Sequence, residues 1–175
     1  SDKTLLKERL ESETMDWNHL VRVGSSYLVL PAIYCRFKAK KLLHLLPQEL
    51  ESYLKEITAL NRERNQQLLA EAQQISQWFQ EADIDHVFLK GTAMLASGYY
   101  EDIGERMVGD IDILIEQSSL IKSFKFLEDK NYKASKKLNE FYPLERHLPR
   151  LIPKNKIGAV ELHSKVINNS KFEKL

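Results

Sequence analysis

Apolar residues in the first 82 positions recur at steps near three and four, the spacing that places them on one face of an α-helix. The longest such pattern begins at Pro47, a residue suited to the first turn of a helix, and continues to Phe79. Shorter patterns precede it, one ending near Gly24 and another opening at Pro31. We therefore predict a helical N-terminal region over residues 1–82, packed on the remainder of the chain.

The middle of the longest pattern, residues 61–67, is polar on nearly every side of the predicted helix. We interpret this segment as a solvated face, because charged and amide side chains on a helix usually point to water. Contact with a partner that binds this face is the alternative interpretation.

After Asp83 the pattern changes to short apolar runs rich in β-branched residues, which predict strands. A helix is predicted from Ser118 or Ser119 to Leu127. The order of strand, helix, strand, helix and further strands indicates an α+β (α/β-like) core over residues 83–175, a small mixed sheet flanked by helices. The predicted strands cover residues 87–89, 110–115, 142–152 and 159–163, with a hairpin tip at residues 154–156.

Composition and charge narrow the class of protein without selecting a function. The 175 residues are 43% hydrophobic and 29% charged, which is ordinary for a globular domain. The net charge of +1 gives no strong case for long nucleic acid as a partner. The longest apolar run, residues 27–34, is too short to cross a bilayer. The single cysteine, Cys35, is predicted to be a core residue, and a cytoplasmic location is expected.

Two acidic residues open the strand predicted at residues 110–115. Asp110 and Asp112 are two positions apart, so their carboxylates project from the same face of a strand, about 7 Å apart at the backbone. A divalent cation between them would relieve the repulsion of two neighbouring negative charges, and Mg²⁺ prefers carboxylate oxygens. An exposed strand start with two acids is the alternative interpretation of this pair.

A candidate phosphate-binding turn follows the strand predicted at residues 87–89. In Lys90-Gly91-Thr92, glycine allows close approach of a ligand, and the short helix predicted next, at residues 93–96, offers free backbone N–H groups. Lys90 adds a positive charge and Thr92 a hydroxyl donor; an ordinary strand-to-helix turn is the alternative. Arg106, in the loop before Asp110, is predicted either to bind a phosphate or to pair with a neighbouring acid.

A third acid lies on the last predicted strand. Glu161 and His163 face one side of this strand, while the apolar residues between and before them face the other. If the strand lies beside the one that carries Asp110 and Asp112, Glu161 completes a cluster of three carboxylates. His163 and His147 are candidate contacts to the phosphate or to the acceptor substrate.

Taken together these residues resemble the uncharacterised nucleotidyltransferase family within the DNA polymerase beta-like superfamily. The resemblance rests on five segments and covers about residues 84–165. It implies a nucleotidyltransferase fold in which Gly91 and Thr92 bind the triphosphate. Three acids, Asp110, Asp112 and Glu161, are implied to bind Mg²⁺, with Mn²⁺ as the alternative ion. The matching segments are Leu89–Ala93, Tyr99-Tyr100, Arg106–Ile115, His147 and Val160–His163.

Three departures from the wider superfamily pattern bear on the site, and one of them, a longer gap from Gly91 to Asp110, is usual in this particular family. Thr92 replaces the usual serine and keeps the hydroxyl, whereas Glu161 replaces the commoner aspartate and has a longer reach. Members of the family usually continue into a helical C-terminal region, so we expect a chain that stops at Leu175 to be truncated or a short variant.

The activity implied by the resemblance is transfer of a nucleoside monophosphate from a nucleoside triphosphate to a hydroxyl group. The acceptor is left open between a small molecule, a sugar, a protein side chain and an RNA end. An inactive nucleotide-binding or protein-interaction module, regulatory or antitoxin-like, is the first alternative. A metal-dependent phosphohydrolase is the second, although it leaves the turn at Gly91-Thr92 unexplained.

Overall fold

The structure of the protein is a computed structural model that describes residues 2–12, 14–138 and 147–166. The first half of the chain is helical, and the second half contains a small sheet. Within these residues the α-helices are α1 (Asp2–Leu10), α2 (Trp17–Ser26), α3 (Leu30–Ala39), α4 (Gln48–Glu81), α5 (Lys90–Ala96) and α6 (Leu120–Asp129), with a 3-10 turn at Leu43–Leu45. The strands are β1 (His86–Phe88), β2 (Asp110–Ile115), β3 (Tyr132–Ala134), β4 (Leu151–Pro153) and β5 (Ala159–His163).

The five strands form one mixed sheet in the order β1-β2-β5-β4-β3. Strands β2 and β5 are parallel, and the other three neighbouring pairs are antiparallel. The loop at residues 154–158 joins β4 to β5, where a hairpin tip was predicted. The observed fold is α+β with a small mixed sheet, which confirms the predicted class and is consistent with a nucleotidyltransferase fold.

The chain divides into two compact units, the first formed by residues 1–65 and 100–107 and the second by residues 66–99 and 108–175. The helical core of the first unit excludes water from a set of leucine and aromatic side chains. These are Leu10, Leu30, Tyr34, Phe37, Leu42, Leu46, Leu50 and Leu54. Cys35 is half-buried beside this cluster, and burial raises the pKa of its thiol to about 11, as expected of a packing residue rather than a nucleophile.

The polar segment of α4 has a structural role within the first unit. Asn61 and Asn65 are buried, and their amide groups donate to backbone carbonyls of the loop at residues 100–107. Arg62 reinforces this contact through an ion pair of 2.7 Å with Asp102. The prediction of a solvated face was therefore wrong for the two asparagines. The loop has no sheet neighbour to satisfy its carbonyls, so helix side chains supply the donors.

Smaller departures concern the ends of elements. Helix α2 continues through Gly24 to Ser26. A Cβ at position 24 would lie 2.5 Å from Cδ2 of Leu30, so this glycine permits close packing and does not end the helix. Of the strand predicted over residues 142–152, the described part is a bridge at His147 and β4; residues 139–146 lie outside the described residues.

In the second unit a buried carboxylate joins α4 to two parts of the sheet. Glu71 accepts a hydrogen bond of 2.7 Å from the hydroxyl of Tyr132 in β3. Its other oxygen accepts one of 3.1 Å from the backbone N–H of Gly158, directly before β5. Position 158 has no space for a side chain, because a Cβ would lie 2.9 Å from Cδ1 of Ile111. These contacts hold the start of β5, the strand that carries Glu161, against the rest of the unit.

Candidate active site

The pairing of β2 with β5 brings acidic side chains from distant parts of the chain together. In this parallel pair Asp112 is the partner of Glu161, and Asp110 is the partner of Ala159. The isoleucines that alternate with the aspartates in β2 are buried, at 0–1% exposure, as are Val160 and Leu162 in β5. Burial of one face of both strands turns the acids toward the other face, where the guanidinium of Arg150 donates hydrogen bonds to both Asp110 and Glu161.

Asp112 is the most buried of the three acids, at 1% exposure. One of its oxygens accepts hydrogen bonds from Nζ of Lys90 at 2.5 Å and from Nε2 of His163 at 2.7 Å. Burial alone would raise the pKa of this carboxyl, but the hydrogen bonds from His163 and Lys90 outweigh it, so the pKa lies below the usual range. Asp112 is therefore an anion held in place by two donors.

Asp110 and Glu161 share a cation that the sequence analysis did not single out. The guanidinium of Arg150, just before β4, lies 3.0 Å from Oδ2 of Asp110 and 2.8 Å from Oε1 of Glu161. Burial and the neighbouring charges of Asp112 and Glu161 raise the pKa of Asp110 despite this pairing. The sequence signal for this contact was weak, because Arg150 directly precedes β4 and comes near Glu161 only once β4 and β5 are known to pair.

Lys90 reaches Asp112 from a backbone conformation that non-glycine residues rarely adopt. Its φ is +50°, in the left-handed region, which costs about 1–3 kcal/mol. The preceding residue, Leu89, donates its backbone N–H to the carbonyl oxygen of Asp112 at 2.9 Å. The end of β1 is thus fixed beside Asp112, and the strained turn directs the Lys90 ammonium to the buried carboxylate.

The predicted phosphate-binding residues Gly91 and Thr92 lie in the first turn of α5 and both have structural contacts. A Cβ on Gly91 would lie 2.9 Å from Cγ2 of Val108, so the absence of a side chain permits this packing. Thr92 is fully buried, and its hydroxyl donates to the carbonyl oxygen of Asp110 at 3.1 Å. These contacts position the start of β2. Phosphate binding by the two residues remains a prediction.

The two predicted histidines lie next to each other. His147 forms an isolated antiparallel bridge with His163, and their ring centroids are 5.4 Å apart. His163 is 1% exposed and contacts Asp112, whereas the His147 side chain is exposed. Within the described residues, Nδ1 of His163 has no hydrogen-bond partner.

Arg106 belongs to the first unit, whereas the other predicted site residues belong to the second. Its side chain is exposed, and its backbone carbonyl accepts hydrogen bonds from Asn61 and Asn65. Its predicted role as a phosphate ligand stays a prediction.

The donor set suits a divalent cation. One ligand atom each from Asp112, Glu161 and His163 lies within 4.8 Å of the others. Asp110 adds a third carboxylate through the shared contact with Arg150. Carboxylate oxygens are the ligands that Mg²⁺ and Mn²⁺ prefer, and an imidazole nitrogen is more typical of transition metals. Divalent cation binding therefore fits these side chains, with Arg150 and Lys90 as the present counter-charges.

A mixed sheet that gathers three carboxylates across a parallel strand pair defines an α+β protein with a candidate cation-binding centre. Comparison with protein-family models gives a match to the family described as uncharacterised nucleotidyltransferase over residues 13–175. The chain belongs to this family, as the sequence analysis predicted. Comparisons with curated proteins and with solved structures found no match. In the described ranges no helix combines the length and apolar character needed to span a bilayer.

Proposed function

We propose that this protein transfers a nucleoside monophosphate from a nucleoside triphosphate to a hydroxyl acceptor, with Mg²⁺ or Mn²⁺ bound by Asp110, Asp112 and Glu161. The observation that carries the proposal is the register of β2 and β5. It places the acids of two strands that are remote in sequence beside one another in a chain whose family is described as nucleotidyltransferase. A generic exposed pair of aspartates would not require the third acid at this position.

The side chains have distinct roles in the proposed reaction. Asp110 and Asp112 would hold the cation, which when bound would neutralise charge on the triphosphate. Lys90, which now pairs with Asp112, would bring positive charge to the same phosphates. The acceptor oxygen forms a bond to the α-phosphorus. At the same time the bond breaks between the α-phosphorus and the oxygen that bridges to the β-phosphate. Pyrophosphate leaves, and the acceptor proton passes to Glu161 or to water.

An inactive binding module on the same fold is the second candidate, and one observation favours it. Arg150 and Lys90 already pair with all three carboxylates, so the cluster needs no metal ion to be electrostatically tolerable. Such a module would bind nucleotide or protein without turnover. Catalysis is nevertheless the better explanation, because the chain belongs to a family described as nucleotidyltransferase and the β2–β5 pairing brings Asp112 and Glu161 side by side.

A labelled-nucleotide assay distinguishes the two candidates. The purified protein is incubated with Mg²⁺, a cell extract as source of acceptor and each nucleoside triphosphate labelled at the α-phosphate. Release of pyrophosphate together with transfer of label to an extract component supports nucleotidyl transfer. Neither release nor transfer supports the inactive module, and release of inorganic phosphate would point to hydrolysis instead.

The matched variants are Asp110→Asn and Asp112→Asn, which keep side-chain size and remove charge. Lys133→Gln on the exposed surface of β3 is the control for expression and folding. Label transfer by the double aspartate variant at the rate of the unaltered protein would exclude a catalytic role for these acids.

A further inference from the structure

Arg150 occupies the space between two carboxylates that a bound cation would need. Its Nη2 is 3.0 Å from Oδ2 of Asp110 and 2.8 Å from Oε1 of Glu161, and its Nε is 3.0 Å from the same Glu161 oxygen. The fork of the guanidinium thus joins β2 to β5 at the centre of the candidate site. A divalent ion bound by both acids would compete directly with this arginine.

We propose that Arg150 is an exchangeable counter-cation, which holds Asp110 and Glu161 together before substrate binds and moves to the phosphate chain when the metal ion enters. This inference rests on the proposed function and specifies how the same site loads its substrate. It assigns a phosphate-binding role to a residue outside the predicted motifs.

The exposure of the participating groups supports exchange rather than a permanent structural ion pair. The Arg150 side chain is 49% exposed, so water can solvate the guanidinium when it leaves the carboxylates. By contrast, His163 is 1% exposed and stays bonded to the buried Asp112. His163 therefore holds Asp112 in place, whereas Arg150 can be replaced at Asp110 and Glu161.

The charge balance points the same way. Three carboxylates (Asp110, Asp112 and Glu161) face two cationic side chains (Lys90 and Arg150), which leaves one net negative charge for an incoming metal ion. Once the ion is bound, the displaced guanidinium requires a new anion. Arginine binds phosphate oxygens in the same two-pronged geometry that it uses for carboxylates, and a triphosphate beside the ion supplies them.

Exchange makes opposite predictions for the metal ion and for the phosphate chain. Loss of the arginine removes the competitor for the ion, so free Mn²⁺ should bind more tightly. It also removes a phosphate donor, so the phosphate chain should bind more weakly once the ion is present. A purely structural arginine would organise the two acids, and its loss would weaken binding of the ion.

The test is calorimetric titration of the full chain and of Arg150→Gln, first with Mn²⁺ alone and then with inorganic tripolyphosphate at saturating Mn²⁺. Tripolyphosphate carries the phosphate chain common to all nucleoside triphosphates. Arg150→Gln should bind Mn²⁺ about fivefold or more tightly and tripolyphosphate about fivefold or more weakly. Arg150→Lys keeps the charge but lacks the forked guanidinium, so both of its affinities should lie between those of Arg150→Gln and those of the unaltered protein. Lys133→Gln controls for the loss of a surface charge, and thermal unfolding checks that each variant folds.

Unchanged or weaker Mn²⁺ binding by folded Arg150→Gln overturns the exchange, and so does tripolyphosphate binding equal to that of the unaltered protein. Neither result affects the proposed nucleotidyl transfer. If the unaltered protein and every folded variant fail to bind millimolar Mn²⁺, the proposed function itself fails and the exchange with it.

Discussion

Replacing Tyr132 with phenylalanine tests how the buried carboxylate of Glu71 holds the sheet. In the native structure Glu71 has two hydrogen bonds, one of 2.7 Å from the Tyr132 hydroxyl and one of 3.1 Å from the backbone N–H of Gly158. The substitution removes the shorter bond without changing the shape of the ring. Glu71 is 4% exposed and Tyr132 is 2% exposed, so water does not readily replace the lost donor.

The size of the effect follows from the charge and burial of the acceptor. A hydrogen bond to a charged group contributes about 1.5–3 kcal/mol, and loss of one partner leaves the other buried and less well satisfied. We expect Tyr132→Phe to lower the free energy of unfolding by about 2 kcal/mol. For a chain of this size such a loss lowers the melting temperature by about 4–8 °C.

The same contact predicts a pH dependence. Burial, followed by the hydrogen bond to Glu71 and its charge, raises the pKa of Tyr132 far above 10. The folded state therefore keeps its phenolic proton at a pH where the unfolded chain has released it. The stability that the raised pKa of Tyr132 contributes to the folded state is fully present below about pH 10 and declines as pH rises above that value. Tyr132→Phe should therefore lose less stability than the unaltered protein between pH 9 and about pH 11.

Urea unfolding followed by circular dichroism at pH 7 and at alkaline pH measures both effects. Tyr27→Phe is the matched control, because this tyrosine is 75% exposed. We would reject a stabilising role for the Glu71 contact if Tyr132→Phe and the unaltered protein had the same urea midpoint at pH 7 and lost the same amount of stability at alkaline pH.

Three further predictions concern contacts that the folded structure explains. Gly91→Ala should lower the free energy of unfolding by about 1–3 kcal/mol, because its Cβ would lie 2.9 Å from Cγ2 of Val108. Adding Val108→Ala should recover part of this loss, as measured by thermal unfolding. Asn65→Ala should cost about 1–3 kcal/mol and speed proteolysis of the loop that it binds, measured by limited digestion. The hydrogen bond from Arg62 lowers the pKa of Asp102, so their pair should add about 0.5 kcal/mol at neutral pH, a contribution lost as the medium is acidified through that lowered pKa.

Each of these predictions has a control within the chain. Gly98 has no atom within 4 Å of an added Cβ, although its φ of +70° adds strain, so Gly98→Ala separates backbone strain from overpacking. Gln66→Ala removes an exposed amide next to Asn65 and should leave digestion unchanged. For the ion pair, Arg62→Gln with a urea midpoint that falls on acidification as far as that of the unaltered protein would contradict the assigned cause.

The spacing of residues along single strands was enough to predict part of the geometry of the candidate site. Asp110 and Asp112 are two positions apart with isoleucines between and after them, and this alternation determines which face each side chain takes once a strand forms. The same argument placed Glu161 and His163 on one face of β5. Helix and strand periodicities also determined the α+β class, since both are local properties of the chain.

Contacts between residues distant in sequence were decided only by tertiary structure. No local pattern indicates that Asn61 and Asn65 bind carbonyls about forty positions later, because a buried amide and a solvated one look the same in sequence. Arg150 is a similar case: its pairing with Asp110 needs β4 to lie beside β5 and β5 beside β2.

The sequence by itself determined the types of side chain available for chemistry and the faces they occupy on their own strands. Tertiary structure decided that β2 and β5 are parallel neighbours and that Lys90 and His163 converge on one oxygen of Asp112. It also decided that the hydroxyl of Thr92 donates to the backbone carbonyl of Asp110. The physical reason is that strand alternation is enforced by covalent geometry within a few residues. Strand order and hydrogen-bond partners depend instead on the free energy of packing the whole unit.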